Sequence, residues 1–451
     1  MYGQKISAPA LLVDDMEAHV VSRVYWRFIP LFFVCMFFNY LDRANVGFAA
    51  LRMNQDIGLG PAEFGFGGTL FFFGYMLLGI PSNILLCRFG ARNWLALLLV
   101  VWGLFATGMA FIGSTTGFYV VRFMIGIAES GFMPGLAFFM TLWFPKAYRA
   151  RAIAGYIIAI SLASVLGGPV STTLMTWMDA AVPGAEIGGL HGWQWMFLIE
   201  GLPTVLLGVI TFFYLNNHPA EARWLSEEER RWLVRTLAAE KAEVEQGEAT
   251  GYRSLLTDVR VWSLAILFGC ALVGIYGMIL WLPQIVKSLG DLSDVQVGLL
   301  SAVPPLLGVF GTLAVSRSSD RTGDRKFHLA GLYLLGAFGL LASGFAPGPV
   351  AAYVFLCIAG LGLNSGNSLF WSLASSISAG SASAVAIALV NTIAQFGGLI
   401  GPWAIGLARA RTGSFSAALI VVAAFLLAAA IIAVLLPVRR VVPACTLVQE
   451  S

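Results

Sequence analysis

The run Asn39-Tyr40-Leu41-Asp42-Arg43-Ala44-Asn45 interrupts an otherwise apolar stretch that reaches from Trp26 to Ala50. That stretch is long enough to cross a bilayer, which takes about 20 residues. Ionised side chains at the centre of such a helix cost roughly 2.5–3.5 kcal/mol each on insertion scales, so they usually face a cavity and serve a purpose. At about 100° per residue, Asn39, Tyr40, Asp42 and Arg43 fall on one side of the helix, and Phe37, Leu41, Ala44 and Phe48 on the other. The first side predicts a wet pocket and the second predicts lipid or neighbouring helices. The pattern is that of a membrane transporter with charge at its centre.

Composition agrees with that reading. Hydrophobic residues make up 58% of the chain and charged ones only 11%, with a mean hydropathy of +0.82. Such values belong to a chain that is mostly embedded in membrane. A formal net charge of +3 gives no reason to invoke nucleic acid. Cys35, Cys87, Cys270 and Cys357 lie in or at the ends of apolar runs and Cys445 near the C-terminus. His19, His191, His218 and His328 are scattered through tails and loops. Neither set has the spacing of a metal site or a disulfide framework. Asp14, Asp15 and Glu17 precede Arg23 and Arg27, and the first apolar run is too long for a signal peptide, so no cleavable signal is expected.

The apolar runs predict an all-α membrane protein of about twelve spans. These lie near 25–50, 63–87, 92–112, 116–142, 151–178 and 194–215, then 260–284, 295–317, 327–346, 350–374, 382–408 and 413–437. Arg23, Arg27, Arg88, Arg92, Lys146, Arg149, Arg151, Arg317, Arg321, Arg325, Lys326, Arg439 and Arg440 all fall at one face, while the opposite loops hold only Arg52, Lys287, Arg409 and Arg411. The positive-inside rule then makes both termini cytoplasmic and the protein a multi-pass resident of the cytoplasmic (inner) membrane. The expected division is a cytoplasmic tail at 1–22, a six-helix bundle at 23–215, a cytoplasmic linker at 216–257, a second six-helix bundle at 258–438 and a tail at 439–451. In the linker, Ser226 and Glu229 have the spacing of a capping box.

The two halves look duplicated. Glu129-Ser130-Gly131 has a counterpart in Asn364-Ser365-Gly366, and Gly168-Pro169 in Gly401-Pro402. The loop with Arg88, Gly90 and Arg92 resembles the later one with Asp320, Arg321, Gly323 and Arg325, which marks both as candidate conformational loops. Facing repeats place a binding site at the midplane between them.

Polar residues converge on that midplane. Arg122 and Glu129 are seven residues apart, so they share one helix face about 10 Å apart along the axis. A carboxyl at Glu129's depth suits a proton carrier. The structural alternative is a static ion pair, Glu129 with Arg43 or Asp42 with Arg122. In the second half the polar groups are neutral: Asn364, Ser368, Trp371 and Ser375 on one face, then Asn391, Gln395, Gly398 and Pro402 on another. Asn391, Gln395 and Trp371 are the ligand candidates, because unpaired amides in hydrocarbon are costly. Ser375, Gly398, Ser161 and Ser164 read as packing positions. Tyr75 lies midway along the second span, and Tyr276 is placed to reach the cavity. Trp281 reads as an interfacial anchor near the outer face. Arg43 is the one fixed cation facing the cavity from the first span, which favours an organic anion.

At these residues the chain resembles the anion:cation symporter family of the major facilitator superfamily over nearly its whole length. The resemblance is carried by residues 39–45, by Arg122-Phe123-Met124-Ile125-Gly126-Ile127-Ala128-Glu129-Ser130-Gly131, and by Trp143-Phe144-Pro145 with Arg149-Ala150-Arg151. Trp193-Gln194-Trp195, Glu200-Gly201-Leu202-Pro203 and Gly397-Gly398-Leu399-Ile400-Gly401-Pro402 complete it. The branch most similar in appearance carries tartrate, phthalate, hydroxyphenylacetate and sugar acids. The resemblance implies proton-driven uptake by alternating access, with Asp42 and Glu129 as proton-coupling acids and Tyr40, Arg43, Tyr75, Ser368, Trp371 and Asn391 as substrate contacts. Two departures stand out. Ile158-Ala159-Ile160-Ser161 lacks a glutamine common in sugar-acid carriers, and Gly79 and Gln194 stand where relatives often have glutamate and arginine.

The expectation is therefore a monomeric symporter in the lipid bilayer that takes up a small organic carboxylate with protons. It is not an enzyme and needs no cofactor or metal. An exporter on the same fold is the alternative, and a transporter-like sensor a more distant one.

Overall fold

A computed structural model describes residues 8–180, 189–246, 257–377 and 383–436. The tail at 439–451, with Arg439, Arg440 and Cys445, lies outside the described residues. Apart from short 3₁₀ turns the described chain is helical: α1 Ala8–Asp56, α2 Pro61–Phe89, α3 Ala91–Gly108, α4 Thr115–Glu129, α5 Phe132–Trp143, α6 Lys146–Ala180, α7 Gly192–Tyr214, α8 Glu227–Gln246, α9 Val259–Lys287, α10 Asp294–Thr322, α11 Lys326–Gly344, α12 Pro349–Ile377, α13 Ser383–Ala394, α14 Phe396–Thr412 and α15 Phe415–Leu435. Among the described residues twelve spans are long and apolar enough to cross a membrane. Two of them are interrupted: α4 gives way to α5 just after Glu129, and α13 to α14 at Gln395. The first helix begins at Ala8, well inside the stretch expected as a tail.

Local signals set the helix ends. Ser114 caps α4 by accepting from the Gly117 amide, and Ser293 with Gln296 closes a reciprocal capping box on α10. The two loops singled out as pseudo-equivalent turn on left-handed glycines, Gly90 at φ +82° and Gly323 at φ +67°. At Gly90 an added Cβ would also meet the Asn217 side chain at 2.7 Å, whose Oδ1 accepts from the Arg92 amide at 2.9 Å.

Helices α1–α7 form one bundle and α9–α15 the other, meeting along α1–α9, α2–α14 and α6–α10. The seam is built from glycine. A Cβ on Gly47 would lie 2.7 Å from the Leu280 carbonyl oxygen, on Gly65 2.6 Å from that of Pro402, and on Gly168 2.6 Å from that of Gly298. Small residues let backbones approach to this distance where hydrophobic driving force between helices is absent. All three contacts lie on the side of the midplane away from the termini. There Arg52 pairs with Asp179 of its own half and with Asp294 of the other. That end is closed.

Trp281 departs from expectation. It is fully buried rather than interfacial, packs edge-on to Phe64 across the seam at 5.1 Å, and donates its indole N–H to the Pro402 carbonyl at 3.0 Å. The seam offers it a larger apolar contact than the headgroup region would.

On the terminus side, Ser226 and Glu229 exchange amide hydrogen bonds at 2.7 and 3.3 Å and start α8. Arg23 donates to both Glu229 oxygens, at 2.9 and 2.7 Å. Burial of the Glu229 carboxyl works against its charge, but the Ser226 amide and the Arg23 guanidinium outweigh it and hold the group below the ordinary carboxylate range.

Candidate functional site

Residues 39–45 of α1 distribute their polar groups over two neighbours. Asn39 Nδ2 and Arg43 Nε both donate to Glu129 Oε1 at 2.5 Å, and Arg43 Nη2 lies 2.5 Å from the same oxygen. Glu129 is 1% exposed and Arg43 9%. Glu129 Oε2 has no partner. The rings of Tyr40, Phe71 and Tyr75 surround the Arg43 guanidinium at 5.3–5.4 Å. Tyr276, from the other half, packs against Phe72 with its ring tilted by 47° and the centroids 4.3 Å apart.

Asp42 does not share this chamber. It accepts from Thr204 Oγ1 of α7 at 3.3 Å and lies 3.5 Å from Asn45 Nδ2. Consecutive residues diverge by about 100° on a helix, so the arc from Tyr40 to Asp42 spans about 160°. Asn39 and Arg43, inside that arc, bond to α4, while Asp42 at its edge bonds to α7. The expected single wet face is therefore two faces, one toward α4 and one toward α7.

Arg122 is buried on α4 with its guanidinium 4.7 Å over the Phe71 ring. Among the described residues no carboxylate forms an ion pair with it, and its Nε is unpartnered. Arg43 and Arg122 line one small cavity with Phe71, Phe72, Tyr276 and Pro402. An adjoining cavity of about 90 Å³ is mostly apolar and includes Tyr40, Ala44, Ser164, Pro304 and Asn364. Of the two ion pairs weighed from sequence, Glu129 with Arg43 is present and Asp42 with Arg122 is not.

The second-half candidates are dispersed along the seam. Ser368 and Asn364 are exposed, Trp371 and Asn391 half-buried, and Gln395 buried at the helix break with Oε1 unpartnered. Trp371 packs edge-on to Phe268 at 5.0 Å. Gly398 is a packing position, since a Cβ there would meet the Phe72 ring at 2.5 Å. Among the described residues every buried arginine and carboxylate of the spans lies in the first half, and the buried polar groups of the second are neutral. The loop residues Arg88, Asp320 and Arg321 are exposed, whereas Arg325 reaches the Ser372 carbonyl at 3.1 Å.

Sequence reasoning passed over Glu200. It appeared only within a motif, yet it is an acid in the middle of an apolar span, the criterion that had singled out Asp42. Glu200 is buried on α7 and accepts from Ser171 Oγ at 2.8 Å and Asn45 Nδ2 at 3.0 Å.

The sequence profile of the Major Facilitator Superfamily matches residues 32–402. A protein of Agrobacterium vitis named "Putative tartrate transporter" is 40% identical over 429 residues, which cover 94% of this chain and 93% of that one. The "Quinolone resistance transporter" of Acinetobacter baumannii is 39% identical over 405 residues, 90% of this chain and 92% of that one. Among solved structures, a bacterial homologue of the human lysosomal transporter Spinster, inward-facing and occupied, matches with a TM-score of 0.75 at 16% identity, over 90% of this chain and 96% of that one. At that identity the likeness concerns the fold alone.

Proposed function

Since the chain belongs to the Major Facilitator Superfamily, and is a transporter rather than an enzyme, we propose that it takes up a small organic dicarboxylate together with protons by alternating access. The observation that carries this reading is the charge of the chamber: Arg43 and Arg122 contribute two positive charges and Glu129 one negative, a net of +1. A water-poor site with that balance attracts an anion. When Glu129 takes a proton the balance becomes +2 and Arg43 is released from its carboxylate. A dianion such as tartrate then leaves the chamber neutral, so proton and substrate favour one another's binding. Tyr40, Tyr75, Tyr276 and Trp371 supply ring faces and hydroxyls around the carboxylates, and Ser368, Asn391 and Gln395 orient the rest. The termini face the cytoplasm of a cell with an inner membrane, and one bundle pair suffices as a monomer.

The test uses purified protein in liposomes, an imposed inward proton gradient and labelled L-tartrate. Accumulation against the tartrate gradient, with matching proton entry, is expected. Uptake indifferent to both pH gradient and membrane potential sinks the coupled reading. Export is the second reading, favoured by the apolar lining of the larger cavity and by the quinolone-resistance relative. Proton entry that drives a fluoroquinolone out of the same vesicles would select it.

A further inference from the structure

Among the described residues, two carboxyls in the first half have no arginine or lysine to answer them. Asp42 is 6% exposed and Glu200 2%. Asn45 lies between them and donates Nδ2 to Glu200 Oε2 at 3.0 Å, with Asp42 Oδ1 at 3.5 Å. The remaining partners are hydroxyls, Ser171 of α6 on Glu200 Oε1 at 2.8 Å and Thr204 of α7 on Asp42 Oδ2 at 3.3 Å. From α3 the indole of Trp102 faces Asp42, and the other charge felt there is Glu129, also an acid. Arg43, the neighbouring cation in sequence, is turned away to Glu129.

Every partner in this cluster is neutral. A buried carboxylate left without a cation costs several kcal/mol, and two in one dry layer repel as well. Hydroxyls either donate or accept, so the Ser171 and Thr204 bonds survive when the carboxyls are protonated. Asn45 is 1% exposed and its Oδ1 has no donor, which leaves an acceptor for the O–H of a carboxylic acid.

We propose that Asp42, Asn45 and Glu200 form a second proton-holding site, separated from the anion chamber, in which at least one carboxyl is protonated while the carrier is closed at the Arg52 end. Loss of that proton to water leaves a carboxylate that this arrangement cannot stabilise. Deprotonation therefore requires α1 to shift against α7, which links this proton to helix movement and the Glu129 proton to substrate. The inference deepens the coupled-transport reading and rests on it only for its consequence in transport.

The substrate-free test is infrared spectroscopy of the full-length protein in lipid at neutral pH. Wild type is expected to show a protonated-carboxyl band that is lost in Glu200→Gln or Asp42→Asn and kept in Glu129→Gln. Absence of the band in wild type, or its persistence in both Glu200→Gln and Asp42→Asn, overturns the proposal. In liposomes, Glu200→Gln is expected to keep exchange of labelled for unlabelled L-tartrate while uphill accumulation falls at least tenfold and its pH profile flattens. A wild-type pH profile in that variant counts against the site. If wild type carries no tartrate, the transport reading fails while the infrared arm still decides the protonation.

Discussion

Arg52 Nε donates to Asp294 Oδ2 at 2.6 Å, joining the last turn of α1 to the first turn of α10 and so one half of the carrier to the other. Arg52 also pairs with Asp179, and Lys287 approaches Asp294 at 3.5 Å. These charges are partly exposed, and such pairs contribute only about 0.2–1 kcal/mol each. The cluster is a latch of modest strength on an interface that glycine packing already closes.

Asp294→Asn is therefore expected to shift the population toward opening at that end by no more than roughly fivefold, the equivalent of about 1 kcal/mol. Ile279 lines both cavities, so Ile279→Cys in a cysteine-depleted background, labelled by an impermeant thiol reagent, reads the change. Equal labelling with and without the Asp294 substitution rejects the latch.

Gly168→Val should act more strongly. Its Cβ would press on the Gly298 carbonyl oxygen at 2.6 Å and on the Phe48 ring at 2.8 Å, and backbone cannot yield as a flexible side chain can. Transport should fall at least tenfold while the protein still folds, since opening relieves the clash. Gly79→Ala is the control. Nothing lies within 4 Å of a Cβ there, and its rate should stay within about twofold of wild type.

Arg43→Lys keeps the charge but loses the planar fork. It should weaken L-tartrate binding by about 10- to 100-fold, or about 1.4–3 kcal/mol, in calorimetry on purified protein. Arg122→Gln lowers the chamber charge by one and should weaken a dianion more than a monoanion of the same size. Equal losses for L-tartrate and L-lactate would remove Arg122 from the charge balance.

The α8 anchor has a definite pH dependence. Glu229 is held below the ordinary carboxylate range, so its contribution is complete above that range and is lost as pH falls through the lowered value. Amide hydrogen exchange in α8, taken relative to the intrinsic rate at each pH, should be slow at neutral pH and rise in acid. Glu229→Gln should exchange quickly at both. A wild-type pH response in Glu229→Gln would assign the effect elsewhere.

Fold class and span number were legible because bilayer thickness fixes how many apolar residues a crossing needs. The pairing of Glu129 with Arg43 was legible as one of two options, since both sit at mid-span. The division of residues 39–45 between α4 and α7 was not, because helical periodicity gives angles about one axis and says nothing of which neighbour lies at each angle. Trp281 was misplaced for a related reason: nearness to a span end suggests an interface, but only tertiary packing showed that Phe64 covers it. Arg122 was taken as a partner for an acid, and its lack of one became visible only once Asp42 was seen to face away.

Helix α8 is bonded to one side of the molecule. Arg23 grips Glu229, and the Lys146 amide and Arg149 both hold Glu240, at 2.7 and 2.6 Å, so its anchors belong to α1 and α6. Whatever seizes this helix, whether a binding protein or an engineered fluorophore, pulls on a single bundle. A dye on α8 paired with one on α11 would thus follow the swing of the two bodies in real time.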